Sequence, residues 1–89
     1  MKTLVIFDTV AQDTSLAMEI TREMEELGWV AFESFSYAFE KEIDGEHAAI
    51  EADIQANVDA ATFEAEWENV NYLYVIGNEA PKFSVSVGA

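Results

Sequence analysis

The hydrophobic period of this 89-residue chain switches repeatedly between strand-like and helix-like, which limits it to a single domain of mixed strands and helices. Thr3 to Thr9 is a continuous β-rich run that ends around Asp8, the pattern of a strand in the middle of a sheet. Asp13, Thr14 and Ser15 offer helix N-caps, and Leu16, Ile20, Met24 and Leu27 recur at helical spacing before Gly28. The outer face of that helix carries Glu19, Glu23 and Glu26 with Glu25 beside them and only Arg22 to offset their repulsion.

From Trp29 to Glu42 the chain is aromatic and β-branched, with Phe35, Tyr37 and Phe39 alternating against Ser34, Ser36 and Ala38. One long strand and two strands joined near Glu33-Ser34 both fit, because no Asn-Gly or Asp-Gly marks a hairpin there. After Asp44-Gly45, a second amphipathic helix is expected from Glu46 to about Asp59, with Ile50, Ile54, Val58 and Ala61 on its stripe and Glu46, Glu51 and Asp53 off it. Thr62 is read as capping a short continuation that places Phe63 and Trp67 on one face and Glu64 and Glu68 on the next. Strands are expected at Asn69 to Gly77 and, as a half-exposed edge, at Lys82 to Val87. The order β-α-β(β)-α-β-β predicts an α+β fold of the ferredoxin-like, split βαβ kind, with two helices on one face of a mainly antiparallel sheet of four to five strands.

Charge narrows the function. Eighteen carboxylates face four basic residues, Lys2, Arg22, Lys41 and Lys82, for a formal charge of −14. At one charge per roughly 1.7 Å, that matches roughly 24 Å of duplex DNA, on a globule about 30 Å across. Direct binding of nucleic acid or of an anionic membrane is disfavoured, and a basic nucleic-acid-binding protein is the expected partner. The absence of cysteine removes disulfide and thiolate-metal frameworks and points to a cytoplasmic setting. The abundant large apolar residues argue against disorder.

The run Leu4-Val5-Ile6-Phe7-Asp8, the helix end Met24-Glu25-Glu26-Leu27-Gly28-Trp29 and the stretch Glu33-Ser34-Phe35 resemble the small CRISPR-adaptation "Cas two" proteins and their ferredoxin-fold relatives, from Met1 to about Glu40. The resemblance implies a homodimer, and in some relatives a metal-dependent nuclease whose aspartate would correspond to Asp8. The basic residues that those proteins use near the site are not matched, and Val10-Ala11-Gln12 contains no arginine.

Asp8 is the one candidate metal-binding carboxylate, as a magnesium ligand at a strand end; capping a loop is its plainer role. His47 is the only histidine, so no multi-histidine metal site and no Ser-His or Cys-His machinery is expected, and it reads as an exposed residue at a helix start. Phe32, Phe35, Tyr37 and Phe39 fit a base-stacking platform in principle, but aromatics at period two beneath helices fit a core better. The leading expectation is a phage- or mobile-element-encoded inhibitor with no cofactor, directed at a defence, restriction, CRISPR or polymerase-type protein. Its Glu19, Glu23, Glu25 and Glu26 would imitate phosphates, with Asp44, Glu46, Glu51 and Asp53, or Glu64 and Glu68, as a second ridge. The alternatives are a dimeric magnesium-dependent ribonuclease built on Asp8 and an acidic antitoxin or interaction subunit.

Overall fold

The computed structural model describes residues 1–8, 14–32 and 37–86. In chain order the elements are β1 (Lys2–Phe7), α1 (Thr14–Glu26), β2 (Val30–Ala31), β3 (Ala38–Glu42), α2 (His47–Glu64), β4 (Val70–Ile76) and β5 (Lys82–Ser86). The strands form one sheet in the order β2-β3-β1-β4-β5, and every neighbouring pair is antiparallel. Two interleaved crossovers generate this order. α1 carries the chain from β1 over β3 to the edge strand β2, and α2 carries it from β3 over β1 to β4. That is the ferredoxin-like arrangement, with β5 added as a hairpin on β4.

The strand pleat divides the side chains. Val5 and Phe7 of β1, Phe39 of β3 and Tyr72, Tyr74 and Ile76 of β4 share one face with the buried residues of both helices, Ile20 and Met24 of α1 and Ile50, Ile54 and Val58 of α2. Each of these large side chains contributes roughly 1.5–3 kcal/mol on burial. Leu4, Ile6, Leu73 and Val75 alternate to the other face and are only half-buried, because no described helix covers it.

The structure settles open points and changes some expectations. The Trp29 to Glu42 region is two strands, pairing Val30 with Glu40 and Ala31 with Phe39. The proposed junction at Glu33-Ser34 lies outside the described residues, as do Val10-Ala11-Gln12, Asp13, Phe35 and Val87. Tyr37, read as a strand residue, instead takes a left-handed φ of 62° and stands outside β3.

Thr62 does not cap a new segment; its hydroxyl donates to the Val58 carbonyl at 2.9 Å inside one continuous α2. That helix stops at Glu64 because Glu66 turns left-handed at φ 56°, with the Trp67 amide on the Thr62 carbonyl at 2.9 Å. Phe63 and Trp67 therefore share no helical face, and Glu68 lies beyond the helix. In β5, whose inward face the alternation left open, the serines face the helices and Phe83 and Val85 face away. The Ser86 hydroxyl is buried between Thr62 and Asp59, 2.8 Å from each.

Two lysines of the sheet, Lys41 and Lys82, sit on its helix side, and Lys41 closes the end of α1. Lys41, opposite Thr3, donates from Nζ to the Leu27 carbonyl at the end of α1 at 2.7 Å and lies 5.9 Å from the centre of the Trp29 ring. A cation at a helix C-terminus is favourable. Gly28 makes room for it. Its φ is +96°, and an added Cβ would stand 3.3 Å from Lys41 Cε. Gly28→Ala is expected to lower stability by about 1–2 kcal/mol, from the positive φ and the displaced lysine, as a lower urea midpoint with unchanged slope.

Candidate interaction surface

α1 and α2 pack side by side, and this brings the acidic residues of one onto the other. The Glu23 side chain is only 14% exposed. Its carboxyl is raised above the ordinary value first by burial, then by the negative charges of Glu26, Glu19 and Glu64, while Arg22 pulls it down. Glu64 thus joins the first-helix ridge rather than forming a separate one. Glu25 and Glu26 are exposed. Arg22, the one cation here, is already bound to Glu19 and lies 3.4 Å from Glu23.

The other predicted carboxylates separate. Glu51 lies on the β5 side of α2, accepts from the Tyr74 hydroxyl at 2.7 Å and pairs with Lys82 at 3.1 Å. Those hydrogen bonds hold its carboxyl below the ordinary value. Burial, reinforced by Glu51, pushes the Tyr74 hydroxyl up to about 12. Asp44 and Glu46 are exposed in the β3–α2 connection, where Asp44 stands 4.0 Å from the N-terminal ammonium. Asp53 is exposed on α2 and Glu68 in the α2–β4 connection. Sequence reasoning missed Asp59, which holds Ser86, and Glu79, whose Oε2 lies 2.7 Å from His47 Nε2 but off line for a hydrogen bond. It also missed Met18, 74% exposed, beside the ridge. The signal was available, because residue 18 falls between the stripe positions 16 and 20.

The remaining cations are engaged as well. Lys2 pairs with Glu40 at 3.6 Å, Lys82 with Glu51, and Lys41 with the end of α1. Each lysine and arginine thus has a carboxylate or carbonyl partner within the chain.

Phe39 is fully buried in the core and Tyr37 half-buried, packed near Trp67, so these two form no stacking platform on the open face. Asp8 is exposed at the end of β1, its amide donating to the Asn71 carbonyl at 2.8 Å. It stands at the rim of a pocket of about 540 Å³ over Ile6, Leu73, Phe83 and Val85. Among the described residues no three of His, Asp and Glu gather as metal ligands, and no helix is long and apolar enough to cross a membrane.

The state of Glu23 predicts a pH effect. A carboxyl raised by folding adds stability below its unfolded value and loses that contribution as pH rises through the folded one. Glu23→Gln is therefore expected to exceed the parent in urea midpoint near pH 7, with the gap closing below about pH 4. An equal gap at both pH values would contradict the environment assigned to Glu23.

No family model, no curated protein and no solved structure matches this chain.

Proposed function

We propose that the chain is a small acidic inhibitor, of the kind carried by phages and mobile elements, whose helical layer occupies the basic groove of a nucleic-acid-binding protein. The observation that carries this reading is the gathering of Glu19, Glu23 and Glu26 of α1 around Arg22, with Glu64 of α2 brought against Glu23, in a chain of net charge −14.

Spacing sets how the mimicry must work. Along a helix, Glu19, Glu23 and Glu26 are about 6 and 4.5 Å apart in rise. One strand of duplex carries a charge per roughly 3.4 Å of axis. One helix is too sparse, so the second helix is needed to raise the density. Met18 and Phe63, 74% and 60% exposed on these helices, supply apolar contact that persists when salt weakens the ionic part.

The test is capture from host lysate on the immobilised protein, elution by a salt gradient and displacement by duplex DNA or RNA. Recovery of a basic nucleic-acid-binding protein that DNA or RNA displaces supports the reading. Partners that neither competitor displaces would overturn it.

A further inference from the structure

We propose that the outer edge of β5 takes up an extended segment of another protein as an added strand, one that alternates apolar and basic residues. The register leaves that edge open. The Asp8 amide donates to the Asn71 carbonyl, which turns the backbone groups of Asn71 and, two residues on, of Leu73 toward β1. Antiparallel alternation then turns Val70 and Tyr72 toward β5 and sends Ser86 and Ser84 back to them. The amides and carbonyls of Phe83 and Val85 therefore point outward, and no other described strand lies beside them.

Edge strands are ordinarily guarded by a charge, a proline or a bulge. Lys82, at the start of β5, is turned to the helix side and tied to Glu51 at 3.1 Å, so the middle of the strand carries no guard. Phe83 is 80% exposed and Val85 56%. Both stand on the open face and line the pocket of about 540 Å³. The opposite edge, β2, has only two residues and is too short to template a strand. An open edge beside an apolar wall suits strand addition, in which main-chain hydrogen bonds give affinity and alternate side chains give specificity.

The two sides of the edge set the chemistry of the segment. Its residues opposite Phe83 and Val85 project onto the same open face, so they are apolar. The residue between them turns to the helix side, where Asp59 is exposed and its Oδ1 holds the Ser86 hydroxyl at 2.8 Å. A lysine or arginine there meets a carboxylate. Asp8 at the pocket rim and the net charge of −14 act in the same sense. A second copy of β5 would bring a serine to that position and the same charge of −14, so a basic segment is the better occupant.

Phe83 and Val85 offer about four backbone hydrogen bonds to a strand of either direction. A segment that matches the five residues of β5 buries less than the roughly 1,200 Å² of a small specific interface, so Kd is about 10–100 μM. The inference does not rest on the helical ridge, and the two fail separately.

Titration of the isotope-labelled chain with the capped peptide Lys-Val-Lys-Val-Lys in about 0.15 M salt, followed by NMR, tests it. The Phe83 and Val85 amides are expected to shift downfield and to gain protection from hydrogen exchange. Methylating both valine amides of the peptide, which face β5, is expected to weaken binding at least about tenfold at unchanged charge. Methylating the central lysine amide, which faces away, costs less than about threefold. Val85→Pro removes an outward amide that an edge strand can spare and should abolish binding with little change in thermal midpoint. Asp59→Asn, which keeps the oxygen that holds Ser86, should weaken it several-fold, whereas Glu26→Lys with Glu64→Lys changes it less than about twofold. Equal binding of the reordered peptide Lys-Lys-Lys-Val-Val, shifts confined to the helices, or concentration-dependent protection of Phe83 and Val85 without peptide, which would make a second copy the occupant, would each overturn the inference.

Discussion

Replacing Glu26 and Glu64 together by lysine is expected to weaken binding to the captured basic protein by about 100-fold or more at low salt, roughly 2.7 kcal/mol. Each change adds two charges, so the net charge moves from −14 by +4 to −10, still strongly acidic. The loss is therefore assigned to place. Both residues are exposed and flank Glu23, so lysines there put like charges against the partner's groove, an arrangement that costs several kcal/mol. The control is Asp44→Lys with Glu68→Lys, which also gives −10 but changes only exposed connections. It is expected to slow association modestly and leave dissociation nearly unchanged. Both losses should shrink in about 0.5 M salt, where the Debye length is about 4 Å. Equal losses from the two pairs, measured by surface plasmon resonance, would mean that only total charge matters and would remove the helical ridge as the site.

Much of the architecture is legible because it rests on local period. The stripe Leu16, Ile20, Met24, Leu27 locates α1, the stripe Ile50, Ile54, Val58 locates α2, and the uninterrupted run Thr3 to Phe7 locates the central strand. The failures share a cause. Glu64-Ala65-Glu66-Trp67 reads as helix by propensity, yet the chain turns left-handed at Glu66, where the packing of Trp67 near Phe7 and Tyr37 outweighs one unfavourable backbone angle. The alternation in β5 shows that two faces differ but not which is inward. That choice comes from a hydrogen bond to a residue of α2 far away in sequence. The site is legible in kind and not in arrangement. Residue type identifies the carboxylates, while only the packing of α1 on α2 brings Glu64 to Glu23 and leaves Glu51 paired with Lys82 on the other flank.

That packing is set by Trp29, and its removal is expected to have the largest effect on stability. Trp29 is buried, donates from Nε1 to Asn57 Oδ1 of α2 at 2.9 Å, and has its amide on the Met24 carbonyl of α1 at 3.0 Å. Lys41 reaches the end of α1 and lies 3.5 Å from the same Asn57 oxygen. One indole thus ties the end of α1 to the middle of α2. Trp29→Ala is expected to cost about 3–5 kcal/mol, against a total of about 4–13 kcal/mol for a domain of this length. Urea unfolding should show a protein folded only at low denaturant, and a cost below about 1 kcal/mol would contradict the burial seen for this side chain. The milder Trp29→Phe keeps most of the apolar area but leaves Asn57 without its indole donor, at about 1–3 kcal/mol. Because it leaves the charge untouched, it isolates geometry. If the ridge depends on how α1 lies against α2, Trp29→Phe should weaken partner binding several-fold in a protein that is still folded and still carries −14. Unchanged binding would mean that the carboxylates act as a diffuse cloud, for which the angle between the helices is irrelevant.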